Sequence, residues 1–210
     1  MSRREEIKKI IQEKEIKVLL HFTQLQNLPS ILKNGLQPRD DLDGNAKWND
    51  ELRLDNHTDT ISLSIQHPND AMFFKYRQTN LKADWCILAL SPKILIEEDV
   101  LFCFRNAAST EITCLSETTL SKASSFERMF EEIPNFASRE EQCLRSSDPT
   151  DVQAEVLVKG TISPEKIIGI VFTSRQAKKE YQHLIGERKT KIHSENVTYL
   201  SRRDIQRKFK

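Results

Sequence analysis

The sequence contains no apolar run long enough to cross a membrane, so we expect no membrane-spanning segment. The N-terminus is charged and lacks the apolar region of a secretory signal. The four cysteines are widely spaced and form no C-x-x-C pair, so neither a zinc site nor a disulfide framework is predicted. Together these absences favour a cytoplasmic protein with reduced thiols.

An excess of charge of either sign is also missing, because 32 Lys and Arg residues nearly cancel 31 Asp and Glu residues to give +1. Net charge therefore neither favours nor excludes a nucleic-acid partner, and the local distribution of charge must decide. The 210 residues are 38% hydrophobic, which is low for a globular protein but enough for a core. The length allows one large domain or two small ones, and the sequence has no internal repeat.

Hydrophobic patterning predicts a mixture of short strands and helices. Residues 3–14 carry an apolar stripe on a charged helix, which we expect to pack on the domain surface, with a partner-binding helix as the alternative. The Asp-rich residues 37–59 lack the spacing of a calcium loop, so we interpret them as a long solvated loop. The basic tail, residues 201–210, favours either a solvated terminus or a phosphate contact. Strands are predicted at residues 16–23, 60–65, 84–90, 100–104, 153–158, 167–172 and 197–200, and helices at 27–35, 71–76 and 174–185, with a further helical stretch around residue 126.

A histidine and a threonine leave the end of the first predicted strand just before a helix. His21 and Thr23 share one face of this strand, opposite to Leu20 and Phe22. The next helix stops at Gly35, which suits a left-handed C-cap. A helix N-terminus offers free backbone N–H groups, and a ring nitrogen or hydroxyl beside it can bind a ligand. The pair is therefore either a ligand site or a structural feature, and the pattern alone leaves both open.

The stretch from Gln153 to Val158 predicts a strand with a carboxylate set in an apolar run. Glu155 would share a face with Leu157, opposite to Val156. A carboxylate is costly to bury unless it faces a cleft or finds a partner. On this pattern alone an exposed Glu at a sheet edge is the more ordinary interpretation, but the rest of the chain favours the cleft.

Basic and aromatic residues alternate on the helix predicted in the first half of the chain. Lys75 and Arg77 lie among Phe73, Phe74 and Tyr76. This pattern is typical either of core aromatics with an exposed basic edge or of a stacking wall beside a phosphate-binding edge.

Several short motifs follow one another along the chain: His21-Phe22-Thr23, Asn27-Leu28-Pro29 with Gly35, Ser62-Leu-Ser-Ile65, Pro68-Asn69, Met72-Phe-Phe-Lys-Tyr-Arg77, the small-residue turn Asn106-Ala-Ala-Ser109, and Asp151-Val-Gln-Ala-Glu-Val-Leu-Val158. In this order they resemble the DarT-type ADP-ribosyltransferase toxins, which attach ADP-ribose from NAD to nucleic-acid bases. The resemblance spans residues 17–175. The Pro-Asn…Met-Phe-Phe-Lys-Tyr and Asn-Ala-Ala-Ser motifs are more similar to the guanine-modifying branch than to the thymidine-modifying branch.

The resemblance implies an α+β fold with a split, mostly antiparallel sheet and flanking helices. It implies a single domain over residues 1–210, with an N-terminal helix in residues 1–15, NAD as co-substrate and no metal. His21 and Thr23, with Phe22 between them, match the H-x-T motif that holds the nicotinamide and its ribose. Glu155 matches the catalytic Glu of the family, which stabilises the positive charge on the ribose.

The family also uses an arginine between the first helix and the second strand. Arg53 is the best match and Arg39 the alternative, for contacting the pyrophosphate or helping to deprotonate the base. Ser30 falls where the family makes a further NAD contact. The expected phosphate contacts are Lys75, Arg77, Arg139 and Arg145, and residues 115–150 are expected to form the wall that reads the base.

The function implied is that of a toxin-type glycosyltransferase that modifies a base in single-stranded DNA, guanine being expected. A single strand is expected because a base in a duplex has its edge nitrogens engaged in pairing. The family also implies an antitoxin partner, for which no residue gives a signal. The alternatives are the same chemistry on messenger RNA in phage defence, NAD hydrolysis or protein ADP-ribosylation, and a non-catalytic domain that binds nucleic acid or protein.

Overall fold

Seven strands form one sheet, counted over the residues that this computed structural model describes, which are 1–41, 58–193, 195 and 199–209. The strands are β1 Leu19–Gln24, β2 Thr60–Ile65, β3 Trp85–Leu90, β4 Val100–Cys103, β5 Glu155–Lys159, β6 Ile167–Phe172 and β7 Lys189–Ile192. They lie in the order β4-β5-β2-β1-β3-β6-β7, and every neighbouring pair is antiparallel except β6 with β7. This arrangement confirms the predicted α+β architecture with a mostly antiparallel sheet.

The sheet is split between β1 and β2. These strands share two residue pairs, Leu19 with Ile65 and Leu20 with Ser64, whereas β1 and β3 share six. Paired strands are held about 5 Å apart by their ladder, so the end of a ladder lets two strands separate. Strands β4, β5 and β2 therefore form one part of the sheet, and β1, β3, β6 and β7 form the other.

Nine helices flank the sheet in the described part of the chain: α1 Arg3–Glu13, α2 Leu28–Asn34, α3 Asp70–Thr79, α4 Ile94–Glu97, α5 Thr110–Thr113, α6 Glu117–Leu120, α7 Ala123–Arg128, α8 Arg175–Tyr181 and α9 Arg203–Lys208. Short 3-10 turns lie at Leu25–Asn27, Arg39–Asp41, Pro164–Lys166 and Gln182–Leu184. Gly35 ends α2 with φ +93°, as predicted, and a Cβ there would lie 2.6 Å from the carbonyl oxygen of Ile162. No helix in these described ranges is long and apolar enough to span a membrane.

The strands pack against two apolar clusters. The larger cluster includes Ile7 of α1, so the N-terminal helix packs on the domain, as predicted. The smaller cluster is aromatic: Phe73 of α3 packs with Leu20 of β1 and Trp85 of β3. Phe22 joins it, with its ring stacked on Phe73 at 4.5 Å between centroids. Leu20 and Phe22 therefore share a face, as the alternation of β1 predicts.

Two predictions about the C-terminal region are wrong. The strand predicted at 197–200 is absent at Tyr199 and Leu200, which lie in a turn, while residues 196–198 lie outside the described part. The last described strand is instead Lys189–Ile192, an edge strand whose Lys-Thr-Lys-Ile pattern carries little apolar signal. The basic tail is no solvated terminus, because it forms α9 with Arg203 buried.

Candidate active site

Glu155 begins β5, and only 7% of the residue is exposed. The Ser62 hydroxyl on neighbouring β2 donates a hydrogen bond to Glu155 Oε1 at 2.8 Å, and the Ala107 backbone N–H donates to Oε2 at 2.7 Å. Each carboxylate oxygen thus has a donor, which offsets part of the free energy of burying the charge. The two donors also hold the carboxylate in one orientation.

The Glu155 strand starts later than predicted, because the residues before it form a turn. The Asp151 carboxylate accepts a hydrogen bond from the Gln153 backbone N–H at 2.8 Å, and the Ala154 N–H donates to the Asp151 carbonyl. An Asp side chain that bonds to the backbone two residues on is typical of a turn. The turn delivers Glu155 directly to the start of the ladder with β4, where it pairs with Cys103.

The small-residue turn after β4 approaches the Glu155 carboxylate closely. Its Ala107 N–H reaches Glu155, and Arg105 ties the turn to the segment before β5. The Arg105 guanidinium donates to Asp151 Oδ2 at 3.2 Å and to Glu111 Oε2 at 2.6 Å. Burial alone would lower the pKa of Arg105, but the hydrogen bonds to the two carboxylates leave this pKa raised. Sequence reasoning found the turn but not the Arg105–Asp151 contact, which joins residues far apart in the chain.

His21 lies in β1, across the split from β5. Its Nδ1 is 3.0 Å from the carbonyl oxygen of Ser62. A carbonyl oxygen can only accept a hydrogen bond, so this contact requires the proton on Nδ1. Ser62 therefore contacts both predicted site residues, Glu155 through its hydroxyl and His21 through its backbone. The structure thus brings together His21 and Glu155, and the linking role of Ser62 was not predicted from the sequence.

Thr23 and Phe22 lie beside His21 on β1. Thr23 is buried, and its hydroxyl accepts a hydrogen bond from the Asn27 side-chain amide at 3.1 Å. Asn27 stands at the N-cap position of α2, but its side chain makes no capping hydrogen bond to this helix. The short 3-10 turn between β1 and α2 instead places the Asn27 amide against Thr23.

The other predicted NAD contacts lie on α2 and in the segment that follows it. Ser30 is exposed on α2, and its hydroxyl accepts from the Asn34 side chain at 3.2 Å. Arg39 begins the 3-10 turn Arg39–Asp41 and is half-buried. Arg53 lies outside the described residues.

Two of the four predicted phosphate contacts lie on α3. Lys75 is exposed. The Arg77 guanidinium lies over the rings of Phe73 and Phe74, at 5.1 and 5.9 Å from their centroids, and donates to the Leu200 carbonyl at 3.3 Å. Burial lowers the pKa of Arg77. Arg77 therefore joins α3 to the C-terminal region as well as lying near the exposed Phe74.

The other two lie in the irregular segment that leads into β5. Arg145 is exposed. The Arg139 guanidinium donates to the carbonyl oxygens of Asp148 and Arg145, each at 2.8 Å, and to the Thr150 hydroxyl at 2.9 Å. Arg139 therefore braces its own segment. As predicted, residues 115–150 contain no strand; they hold α6 and α7 followed by irregular structure. Across the described ranges, no group of three or more His, Cys, Asp or Glu residues could hold a metal ion.

The site thus combines a split sheet with a buried Glu on one part and a His on the other. A family model described as DarT, the ssDNA thymidine ADP-ribosyltransferase, matches residues 20–200. The chain therefore belongs to the DarT family of ssDNA ADP-ribosyltransferases. No curated protein matches the chain by sequence.

Solved structures agree with this fold. Thermosipho africanus DarTG in complex with ADP-ribose aligns with a TM-score of 0.59 at 17% identity, covering 88% of this chain and 51% of that one. This chain thus spans about half the length of the DarTG chain. Thermus sp. 2.9 DarT aligns over 85% of this chain at 14% identity, with a TM-score of 0.55 in complex with NAD+ and 0.57 in complex with ADP-ribosylated ssDNA. These alignments cover 96% and 95% of the Thermus chain.

Proposed function

We propose that this protein transfers ADP-ribose from NAD to a base of single-stranded DNA. The observation that carries the proposal is the Glu155 carboxylate, which is buried, held by two donors and linked through Ser62 to His21 across the split. Family membership supports the reaction class, and the complexes of Thermus DarT with NAD+ and with ADP-ribosylated ssDNA support the two substrates.

In the reaction, the bond between nicotinamide and ribose breaks and positive charge develops on the ribose. A carboxylate stabilises that charge most strongly where water is excluded and no reorganisation is needed. Ser62 and Ala107 already hold Glu155 in position, so it acts without rearranging. A base nitrogen forms the new bond to the ribose carbon as neutral nicotinamide leaves, and the proton that this nitrogen carried passes to solvent.

The remaining residues are assigned from the motifs that resemble those of the family. We assign His21, Phe22 and Thr23 to the nicotinamide and its ribose, with Ser30 as a further NAD contact. The arginine that contacts the pyrophosphate is Arg53, with Arg39 as the alternative. We assign four residues to contacts with the DNA backbone. Lys75 and Arg145 are exposed, whereas Arg77 and Arg139 are partly buried.

The base that we propose is guanine. The matching family model is described by thymidine. The guanine proposal rests on the resemblance of the Asn106 to Ser109 turn to the guanine-modifying branch. This turn lies against the catalytic carboxylate, because its Ala107 N–H donates to Glu155. A motif in this position is well placed to influence which base is accepted. Residues 115–150 lead into the Glu155 strand and form the proposed base-reading wall.

The biological role that we propose is that of a toxin acting in the cytoplasm with an antitoxin partner. Modification of DNA bases would block their pairing, so unchecked activity would harm the host cell. The similarity to Thermosipho africanus DarTG supports the proposal of an antitoxin partner. Expression of the wild-type chain should arrest growth, whereas expression of Glu155→Ala should not. Equal growth with both chains would contradict the toxin role.

The direct test is mass spectrometry of short DNA and RNA oligomers, each with a single reactive base type, after incubation with protein and NAD. We expect one ADP-ribose on the guanine-containing DNA single strand, little on the matched duplex, and none with Glu155→Ala. The control is Glu165→Ala, which removes an exposed glutamate on a 3-10 turn. Modification of thymidine or of RNA instead would correct the base or the polymer. Wild-type rates with Glu155→Ala would refute the mechanism, and nicotinamide release without an adduct would indicate hydrolysis or a protein acceptor.

A further inference from the structure

Helix α9 is packed on the segment that leads into the Glu155 strand. Arg203, at the start of α9, is only 3% exposed. Its guanidinium donates to the carbonyl oxygens of Pro149 at 2.7 Å and Thr150 at 3.1 Å, and to the Gln142 side-chain oxygen at 3.4 Å. These acceptors all precede Glu155 in the chain, so α9 fixes the position of the segment that leads into β5.

One helical turn later, Arg207 forms a second contact with the same segment. Its Nε and one terminal nitrogen donate to the two oxygens of Asp148, each at 2.7 Å, and both side chains are almost completely buried. Burial alone would raise the pKa of Asp148, but the hydrogen bonds from Arg207 and from the Arg145 N–H leave it lowered. A bidentate, buried pair of this kind fixes geometry as well as charge. Removing one partner would leave the other buried without compensation.

The N-terminal end of α9, with Ser201 just before it, contacts the corner between β2 and α3. The Arg203 backbone N–H donates to Asp70 Oδ2 at 2.6 Å, and His67 Nε2 contacts the Ser201 carbonyl oxygen at 3.1 Å. His67 and Asp70 follow β2 closely in the chain, and β2 carries the Ser62 that contacts Glu155. Helix α9 therefore connects β2, whose Ser62 donates to Glu155, with the segment that precedes Glu155 in the chain.

The contacts continue from this segment to the site itself. Asp148 and Thr150 are completely buried, and the Thr150 hydroxyl donates to the Glu131 carbonyl at 2.6 Å. Next in the chain, Asp151 binds Arg105, whose turn provides the Ala107 N–H to Glu155. A displacement of this segment would therefore shift the Arg105 turn, and with it the Ala107 N–H that donates to Glu155.

We propose that Arg203 and Arg207 are positioning residues, which hold residues 139–151 as a fixed wall against which the acceptor base is placed beside Glu155. The inference rests on the proposed function and extends it to a part of the chain with no direct role in NAD binding. A misplacement of about 1 Å in a reacting group can lower a rate about a hundredfold. Loss of the wall should therefore impair base transfer much more than it impairs NAD binding.

The test compares Arg207→Gln with Arg202→Gln, two changes of the same type on neighbouring turns. The Arg202 side chain is 70% exposed and pairs with the neighbouring Asp204. We expect Arg207→Gln to lower kcat/KM for the DNA oligomer at least tenfold, with NAD-dependent thermal stabilisation retained. Arg202→Gln should stay within about twofold of the wild type in both. If Arg207→Gln does not fold, Arg207→Lys, which keeps the charge but loses the bidentate geometry, replaces it.

A purely structural role would give a different result. If Arg207→Gln lost NAD-dependent stabilisation together with transfer, or kept the wild-type transfer rate, the positioning role would be refuted. Amide hydrogen exchange provides a measurement that does not require activity. In Arg207→Gln, faster exchange confined to residues 139–155 would support the contact even if the wild type modified no oligomer, in which case only the proposed function would fail. Unchanged exchange, or faster exchange throughout the chain, would refute the inference.

Discussion

The two parts of the sheet hold their site residues by different means. On one part, β4, β5 and β2 surround Glu155, and polar contacts from Ser62 and Ala107 hold its carboxylate. On the other part, β1 carries His21 beside Phe22, whose ring is packed against Phe73. Apolar packing determines where a strand lies, whereas hydrogen bonds determine how a single carboxylate is oriented. Mutations in the aromatic packing that supports β1 should therefore cost mainly stability, and mutations around Glu155 should cost mainly rate.

The largest effect on stability is expected from Phe73→Ala. Phe73 is almost completely buried, and truncation of a buried Phe costs about 3–5 kcal/mol of unfolding free energy. Urea denaturation measures the loss. The neighbouring Phe74 is 57% exposed, so Phe74→Ala should change stability by less than about 0.5 kcal/mol. Equal losses for both variants would show that the aromatic cluster does not hold β1 in place.

The largest effect on rate is expected from Glu155→Gln. Loss of one electrostatic contact to a developing charge lowers a rate about a hundred- to a thousandfold, or about 3–4 kcal/mol. Stability should be unchanged or slightly higher, because a buried charge is removed. Oligomer modification and urea denaturation, measured on the same preparation, give the two values. If Glu155→Gln lowered the free energy of unfolding by as much as it raised the activation free energy, the two parts of the sheet would not differ in the way proposed.

A smaller and sharper test uses two serines on the same strand. Ser62→Ala removes the hydroxyl donor to Glu155, and hydrogen bonds to charged groups are worth about 1.5–3 kcal/mol. We expect the transfer rate to fall roughly ten- to a hundredfold. Ser64 accepts from the Asn69 N–H at the start of α3, so Ser64→Ala should cost about 1 kcal/mol of stability without changing the rate. Similar rates for both variants would contradict the role of Ser62.

The smallest expected effect is a pH dependence that arises near the Glu155 part of the sheet. Asp148 has a lowered pKa in the folded protein, so its ionised form stabilises the fold above its ordinary pKa of about 4. This contribution is lost as the pH falls from about 4 through the lowered pKa. Each unit of lowering is worth about 1.4 kcal/mol at neutral pH. Urea denaturation between pH 7 and pH 3 should show a steeper acid loss for the wild type than for Asp148→Asn. Parallel curves would contradict the prediction.

Some strands and helices were predictable from the sequence and others were not. Clear alternation or a continuous apolar run predicted the strands that contain Ser62, Trp85 and Ile170, because these patterns match the period of a buried strand. The polar edge strand Lys189–Ile192 was missed, because an exposed edge strand needs little apolar surface. The prediction for the basic tail was wrong because basic residues usually indicate a solvated segment, whereas the side chains of Arg203 and Arg207 are buried here.

The site residues divide in the same way. The motifs predicted that His21, Thr23 and Glu155 would act together, and they include the small-residue turn whose Ala107 N–H reaches Glu155. The partners of these residues were not predicted. Ser62, Arg105 and Arg207 contact groups that are distant in the chain, and no local pattern encodes a distant partner.

The sequence by itself determined the secondary elements with strong periodicity, the family and the candidate carboxylate, since each can be read from short motifs of neighbouring residues. Only the tertiary structure decided where the sheet splits, which donors hold Glu155 and why the basic tail is buried. These features depend on free energies shared between segments far apart in sequence. A buried Arg207 is favourable only because Asp148 is brought to it, and that pairing exists only in the folded chain.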